Sequence, residues 1–413
     1  MDIIIGAGIS GLSYAAFCGH KDYRIIEKSD RIGGYCKTTE RNGFVWDYSG
    51  HFFHFKNKDI EEFVAQGMPE EDILTIRKHT QIRYKDRLID YPFQMNIHQL
   101  PQQEFIECLY DLFENPTKEF SNFKEMLYAK FGKSIADKFL IPYNSKLYAC
   151  DLNTLDKDAM GRFFPYAEKE QIIRNFKASN NDTYNATFVY PKHGAIQYVD
   201  SMASHVNNEA ILLNEAIVSI QPNAHTITLR SGETLHYDRL ISTTPFSKLM
   251  ELLGEPKNPA LSWNQVLVFN IGFDKQGLDT KNHWIYFPED KYCFYRVGFY
   301  SNILGTDKCS LYVELGFDKY ATIKPEELLP RVIHDLQEAH IISADMKVVD
   351  YETIIMNPAY VHVSAEAAQY VAKIKEQLAQ HNIYSIGRYG SWTYCSIEDN
   401  IIEAKNLAKA LNG

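Results

Sequence analysis

Residues 1 to 27 constrain this chain more than any other stretch. Asp2-Ile3-Ile4-Ile5 is an apolar run of strand type that leads at once into Gly6-Ala7-Gly8-Ile9-Ser10-Gly11 and the helix-forming Leu12-Ser13-Tyr14-Ala15-Ala16. A second strand, Tyr23-Arg24-Ile25-Ile26, ends at Glu27, 21 residues after Gly6. Strand, glycine turn, helix, strand and acid in this order form a dinucleotide-binding βαβ unit. Gly6 permits the tight turn and Gly8 lets the backbone approach a pyrophosphate. Gly11 lets helix and strand pack closely, with the helix N-terminus facing the phosphates. Glu27 stands where a carboxylate accepts ribose hydroxyls and repels a 2′-phosphate. Glycine turns alone are common; the strand, helix and acid around this one give it weight.

The residues just after Glu27 separate two cofactors. Arg31-Ile32-Gly33-Gly34-Tyr35-Cys36-Lys37-Thr38 resembles the RxGGxxxT signature of glutathione-reductase-type flavoproteins, among them the amine oxidase and UDP-galactopyranose mutase families. That resemblance implies FAD, with Gly33 and Gly34 as a second glycine wall beside it and Arg31 near phosphate.

A length of 413 residues suits two or three domains rather than one core. The net charge of -10, with no basic tail or stripe, argues against a nucleic-acid binder. Seven cysteines without CxxC or ligand spacing read as reduced thiols, and no metal site is expected. With the first strand starting at residue 2 no secretory signal is expected, and no apolar run reaches about 18 residues, the length of a membrane span. A cytoplasmic location is expected.

Farther along, Gly50-His51-Phe52-Phe53-His54 is dense in aromatics. Ile82 to Gln94 reads as a hairpin turning at Lys85-Asp86, and residues 98 to 178 as mostly helical. Two alternating strands come next at Ile217–Ile220 and Thr226–Leu229, then a buried strand from Arg239. Between 260 and 360 the chain is strand-rich, at Val266–Phe273, Trp284–Phe287, Phe294–Val297 and Leu311–Leu315. A final helix runs from about Ile397 to Leu411, with Ser396 and Asp399 placed to cap it.

Four stretches together are similar to the UDP-galactopyranose mutase family, more in its eukaryotic-type pattern: Tyr91-Pro92-Phe93-Gln94, Asn185-Ala186-Thr187-Phe188, Phe287 to Arg296, and Gly387-Arg388-Tyr389-Gly390-Ser391-Trp392-Thr393-Tyr394. Met95 departs from the asparagine usual there. The resemblance implies an α/β fold: an FAD-binding, Rossmann-type (glutathione-reductase-like) core with a helical insertion and an antiparallel substrate sheet. Its expected parts are 1–97, 181–260 and 366–413 for FAD, 98–180 helical, and 261–365 as the sheet.

The same resemblance assigns roles. His51 would pass beside the flavin, and Arg162 and Arg296 would clamp the substrate diphosphate. Tyr91, Phe93, Gln94, Asn185, Tyr295, Tyr360 and Tyr394 would bind substrate. Val218 would meet the adenine through its backbone, while Gly387, Arg388, Ser391 and Trp392 would complete the FAD site. The implied reaction interconverts pyranose and furanose rings of a UDP-sugar through a sugar adduct on N5 of reduced FAD, with NAD(P)H or another reductant supplying the electrons. Two alternatives stand beside it: an amine-oxidase- or protoporphyrinogen-oxidase-like oxidoreductase, and a non-catalytic carrier of the same fold.

Overall fold

The computed structural model describes residues 1–115, 119–177 and 186–412. At its centre is a parallel five-stranded sheet in the order Ile383–Ser385, Arg239–Ser242, Asp2–Ile5, Tyr23–Ile26, Ile211–Leu212. Ile4 pairs with Ile241 on one side and Ile25 on the other. All four residues of Asp2–Ile5 are buried, as a parallel strand covered on both faces must be. Ile4 packs on the face that carries the helices Ile9–Phe17 and Ile397–Asn412. Ile3 and Ile5 face the opposite way, toward Phe246 and Leu249.

The last helix starts where the sequence places its cap. Ser396 Oγ accepts the Asp399 N–H at 3.1 Å, and Asp399 Oδ2 accepts the Ser396 N–H at 2.8 Å. This reciprocal pair satisfies two otherwise orphaned donors.

A seven-stranded sheet stands apart from the parallel one. Its order is Val348–Met356, Asn264–Phe273, Ser310–Asp318, Arg296–Phe299, Trp284–Tyr286, Thr80–Tyr84, Arg87–Asp90. Every pairing is antiparallel except that of Trp284–Tyr286 with Thr80–Tyr84. The hairpin at Lys85-Asp86, which lies within 1–97, is thereby hydrogen-bonded into the larger sheet. That parallel pairing joins residues about 200 positions apart and leaves no local trace in the sequence. Val348–Met356 also escapes the sequence reading, because Asp350 and Glu352 break its apolar run.

The helical insertion comprises Gln102–Phe113, Phe123–Ile135, Ile141–Tyr148 and Lys169–Lys177. Asn122 caps the second of these by accepting the Glu125 N–H. A π-turn at Ala136–Leu140 precedes the third. Such turns add a residue and re-aim the side chains after them. Here Phe139 and Leu140 reach the same cavity as Tyr143 and Asn144.

No helix among the described residues is long and apolar enough to cross a membrane. Among the same residues no group of three or more His, Cys, Asp or Glu side chains could hold a metal ion.

Candidate active site

A cavity of about 760 Å³ runs between the parallel sheet, the helical insertion and the seven-stranded sheet. That is toward the upper end of the roughly 300–1,000 Å³ usual for small-molecule sites. It has a glycine-lined end and an aromatic, cationic end.

The glycine end is built by backbone. Gly6 turns at φ +97°, and a Cβ on Gly11 would stand 2.0 Å from the Gly6 carbonyl oxygen, so the helix cannot pack with any side chain there. Gly8 and Gly34 face each other: a Cβ on Gly34 would lie 3.3 Å from the Gly8 Cα. Glu27 is buried and accepts the Ala7 N–H at 2.8 Å and the Ser29 N–H at 2.9 Å, one on each oxygen. Each oxygen keeps a lone pair for a ligand hydroxyl. Gly387 turns at φ +87° against Ser10 on the first helix. The cavity wall includes Gly6, Gly8, Glu27, Gly33, Gly34 and Gly387.

Other residues assigned to the cofactor stand elsewhere. Val218 is 52% exposed, and the wall is made by Glu215, Ala216 and Ile217 instead. A register shift between Ile217 and Ser219 in the pairing with Thr226–Leu229 falls on the intervening residue, Val218. Arg31 is exposed, donates to the Thr38 carbonyl at 2.9 Å, and does not line the cavity. Ser391 lies behind the wall, bonded to Glu403 and Lys375. Trp392 is buried beside Trp263.

Arg388 joins the two ends. Its guanidinium is 4.6 Å from the ring centroid of Tyr394 and 5.3 Å from that of Tyr360, and these two rings stack at 6.0 Å. The hydrogen bond from its Nη1 to the Cys395 carbonyl is long at 3.4 Å, and its buried Nε has no partner among the described residues. A buried cation without a carboxylate is costly unless an anion completes it. With the close approach of Gly8 and Gly34, this orphaned donor fits a diphosphate-bearing flavin nucleotide.

At the cationic end Arg296 makes two hydrogen bonds to Glu314, and the Ser49 hydroxyl donates to the same carboxylate. The Ser49 carbonyl lies 3.2 Å from His51 Nδ1. That contact fixes the tautomer with the proton on Nδ1 and leaves Nε2 as acceptor. Burial pushes the His51 pKa down to about 4, so the ring is neutral near pH 7. Behind it, burial pushes the Asp47 carboxyl up to about 7, despite donors from Thr38, Ala195 and Tyr190.

Arg162 lines the cavity mouth but is paired with Asp399 at 2.7 and 2.8 Å and lies over the Phe163 ring. Of the Tyr91-Pro92-Phe93-Gln94 stretch, Tyr91 faces the cavity. Phe93 is fully buried against Phe139, and the fully buried Gln94 donates to the Pro165 carbonyl. The tight turn Phe93–Met95 carries both side chains inward against the helical insertion. Tyr295, Tyr360 and Tyr394 all reach the wall. Asn185 lies outside the described residues.

Sequence reasoning does not single out Tyr143, Tyr286 or Glu314, which also line the cavity. For Glu314 a signal exists: it is the one charge in the apolar run Leu311-Tyr312-Val313-Glu314-Leu315. Such a residue is either paired or functional.

The family described as flavin containing amine oxidoreductase matches residues 9–412. Coproporphyrinogen III oxidase of Staphylococcus aureus (strain NCTC 8325 / PS 47) is 22% identical over 321 residues, which cover 67% of this chain and 68% of that protein. A zeta-carotene-forming phytoene desaturase of Myxococcus xanthus is 31% identical over 90 residues, 21% of this chain and 17% of that one. A crystal structure of reduced UDP-galactopyranose mutase superposes with a TM-score of 0.92 at 26% identity, over 99% of this chain and 95% of the other. Cyclohexylamine oxidase from Brevibacterium oxydans IH-35A superposes at 0.71 with 14% identity, over 100% and 98%.

Proposed function

The chain belongs to the flavin-containing amine oxidoreductase family and its cofactor is FAD; within that family, we propose that it is a sugar-nucleotide mutase interconverting the pyranose and furanose forms of a UDP-sugar, most simply UDP-galactose. The observation that carries this reading is that Arg296 and Arg162 line the same cavity as Tyr360 and Tyr394, in addition to the Arg388 that suits the cofactor diphosphate. A diphosphate that must leave and return needs such fixed cations, whereas a simple amine does not. The full-length likeness to a mutase structure supports it further.

Reduced flavin, when bound, supplies a nitrogen nucleophile for the anomeric carbon, and electrons from NAD(P)H or another reductant bring it to that state. The chain's own residues do the rest. Gly8 and Gly34 admit the cofactor pyrophosphate, and Glu27 holds a ribose. Arg296, fixed by Glu314, and Arg162, once released from Asp399, hold the departing diphosphate within reach for its return. His51 offers Nε2 as a neutral acceptor to a sugar hydroxyl. The buried tyrosines exclude water that would otherwise capture the opened sugar.

A porphyrinogen-type oxidase is the second reading, favoured by the match to coproporphyrinogen III oxidase. Porphyrinogen carboxylates would also suit arginines. Incubating reduced protein with UDP-galactopyranose and separating the products by chromatography distinguishes the two. Many turnovers without consumption of reductant are expected; product formed from a porphyrinogen with stoichiometric consumption of oxygen, each O2 taking up two of the electrons removed, and none from the nucleotide, would overturn the mutase reading.

A further inference from the structure

Lys146 lies on the helix Ile141–Tyr148, which also brings Tyr143 and Asn144 to the cavity. Its side chain crosses to the loop joining strand Trp284–Tyr286 to strand Arg296–Phe299. There Nζ sits 3.1 Å from the carbonyl oxygen of Phe287, 3.0 Å from that of Glu289, 2.9 Å from that of Tyr292 and 2.6 Å from that of Phe294. Four carbonyl dipoles pointing at one spot repel one another unless a cation or donor occupies it. An ammonium has three protons, so one is shared between two oxygens.

Of the acidic side chains nearby, Asp290 attracts the ammonium through space without a hydrogen bond to it, and the other two have partners of their own. Glu289 pairs with Lys291 at 3.3 Å, and Asp335 with Arg331 at 2.7 Å. Loop and helix are also held in register. The Phe287 N–H donates to the Tyr295 carbonyl at 2.8 Å, and a Cβ on Gly316 would stand 2.1 Å from the Lys146 carbonyl oxygen, so the helix backbone rests directly on the strand Ser310–Asp318.

We infer that Lys146 is a positioning residue for the anion site: its ammonium closes the 287–294 loop into the shape that presents Tyr295 and Arg296 to the cavity. The residue does not line the cavity and acts through the loop. The assignment of the anion as a nucleoside diphosphate rests on the mutase reading.

Two measurements on FAD-loaded protein test it, using Lys146→Gln, Lys146→Ala and Lys146→Arg. One is amide hydrogen exchange of 287–296, compared with strand Asn264–Phe273. The other is UDP affinity by calorimetry. Both Lys146→Gln and Lys146→Ala should exchange faster in 287–296 alone and bind UDP at least about 10-fold more weakly, the loss of one charge-assisted contact. FAD content should stay at the wild-type level. Added propylammonium should restore protection in Lys146→Ala, which mere loss of packing would not allow, and Lys146→Arg should retain part of it.

Wild-type exchange in Lys146→Gln and Lys146→Ala would overturn the inference. If Lys146→Ala does not fold, Lys146→Gln decides, since it keeps a donor and loses the charge. Should wild-type protein fail to bind UDP, the mutase reading fails while the exchange result still decides the role of Lys146.

Discussion

Arg296 and Glu314 are direct partners across adjacent antiparallel strands, and their side chains form a two-pronged pair, Nε to Oε2 at 2.6 Å and Nη2 to Oε1 at 2.8 Å. Glu314 is 1% exposed and Arg296 19%, so the carboxylate is buried while the guanidinium keeps an open side. Of the five guanidinium N–H groups, three remain for a ligand. Ser49 extends the network, donating to Glu314 through its hydroxyl and accepting from His51 through its carbonyl. One carboxylate therefore sets both the cation and the histidine loop.

Arg296→Ala should have two separable effects. Loss of a charge-assisted bond weakens UDP binding by about 10- to 150-fold. Leaving Glu314 buried without its partner costs roughly 3–5 kcal/mol of stability. The double variant Arg296→Met/Glu314→Leu should recover most of that stability and none of the affinity. Denaturant titration and calorimetry on both proteins check this; a double variant that binds UDP like wild type would remove Arg296 from the site.

Two glycines in the same turn should fail differently. Gly8 has φ -79°, and an added Cβ would make only an ordinary 3.7 Å contact with Gly34. Gly8→Glu should therefore fold yet lose FAD, since the side chain fills the pyrophosphate approach and repels it. Gly11→Ala, whose Cβ would meet the Gly6 oxygen at 2.0 Å, should lose fold and cofactor together. Flavin absorbance per protein and a melting curve separate the cases. Full flavin in Gly8→Glu would displace the cofactor from this turn.

The βαβ start, the cap at Ser396 and the hairpin at Lys85 are legible in the sequence because each is a local event with its own turn or capping chemistry. Arg296, Tyr295, Tyr360 and Tyr394 are legible through motif likeness, and the fold brings them to one cavity. Phe93 and Gln94 are not, because which way a side chain faces depends on a short turn; Val218, assigned through its backbone, sits at a register shift one residue beyond the cavity wall. Arg162 reaches the mouth, but its pairing with Asp399 joins residues 237 apart. Glu314 carries a visible sign, a lone charge in an apolar strand, whose meaning depends on the neighbouring strand.

The redox state offers an independent prediction. Oxidised protein should be inactive with UDP-galactopyranose, and stoichiometric reduction under anaerobic conditions should switch it on for many turnovers. Reductant and flavin absorbance are followed alongside product. Equal activity in the two states would exclude reduced flavin as the source of the nucleophile.

His51 gives the last prediction, through linkage between protonation and folding. Burial lowers its pKa from the ordinary 6.5 to about 4. Between those values the unfolded chain binds the proton and the folded protein does not. Stability from this group is thus fully present above pH 6.5 and is lost as pH falls toward 4, by at most about 3 kcal/mol. His54 and His283, also lowered to about 4 by burial, act in the same direction. Asp47 opposes them: raised to about 7, it favours the folded state as pH falls. A single melting curve therefore mixes signs, and the informative quantity is the difference between wild type and His51→Gln. That difference should move against wild type between pH 6.5 and 4.5, measured by denaturant unfolding at each pH. Parallel stability curves for the two proteins would mean that His51 titrates normally, and the burial-driven shift that keeps its ring neutral down to mildly acidic pH would fall with that result.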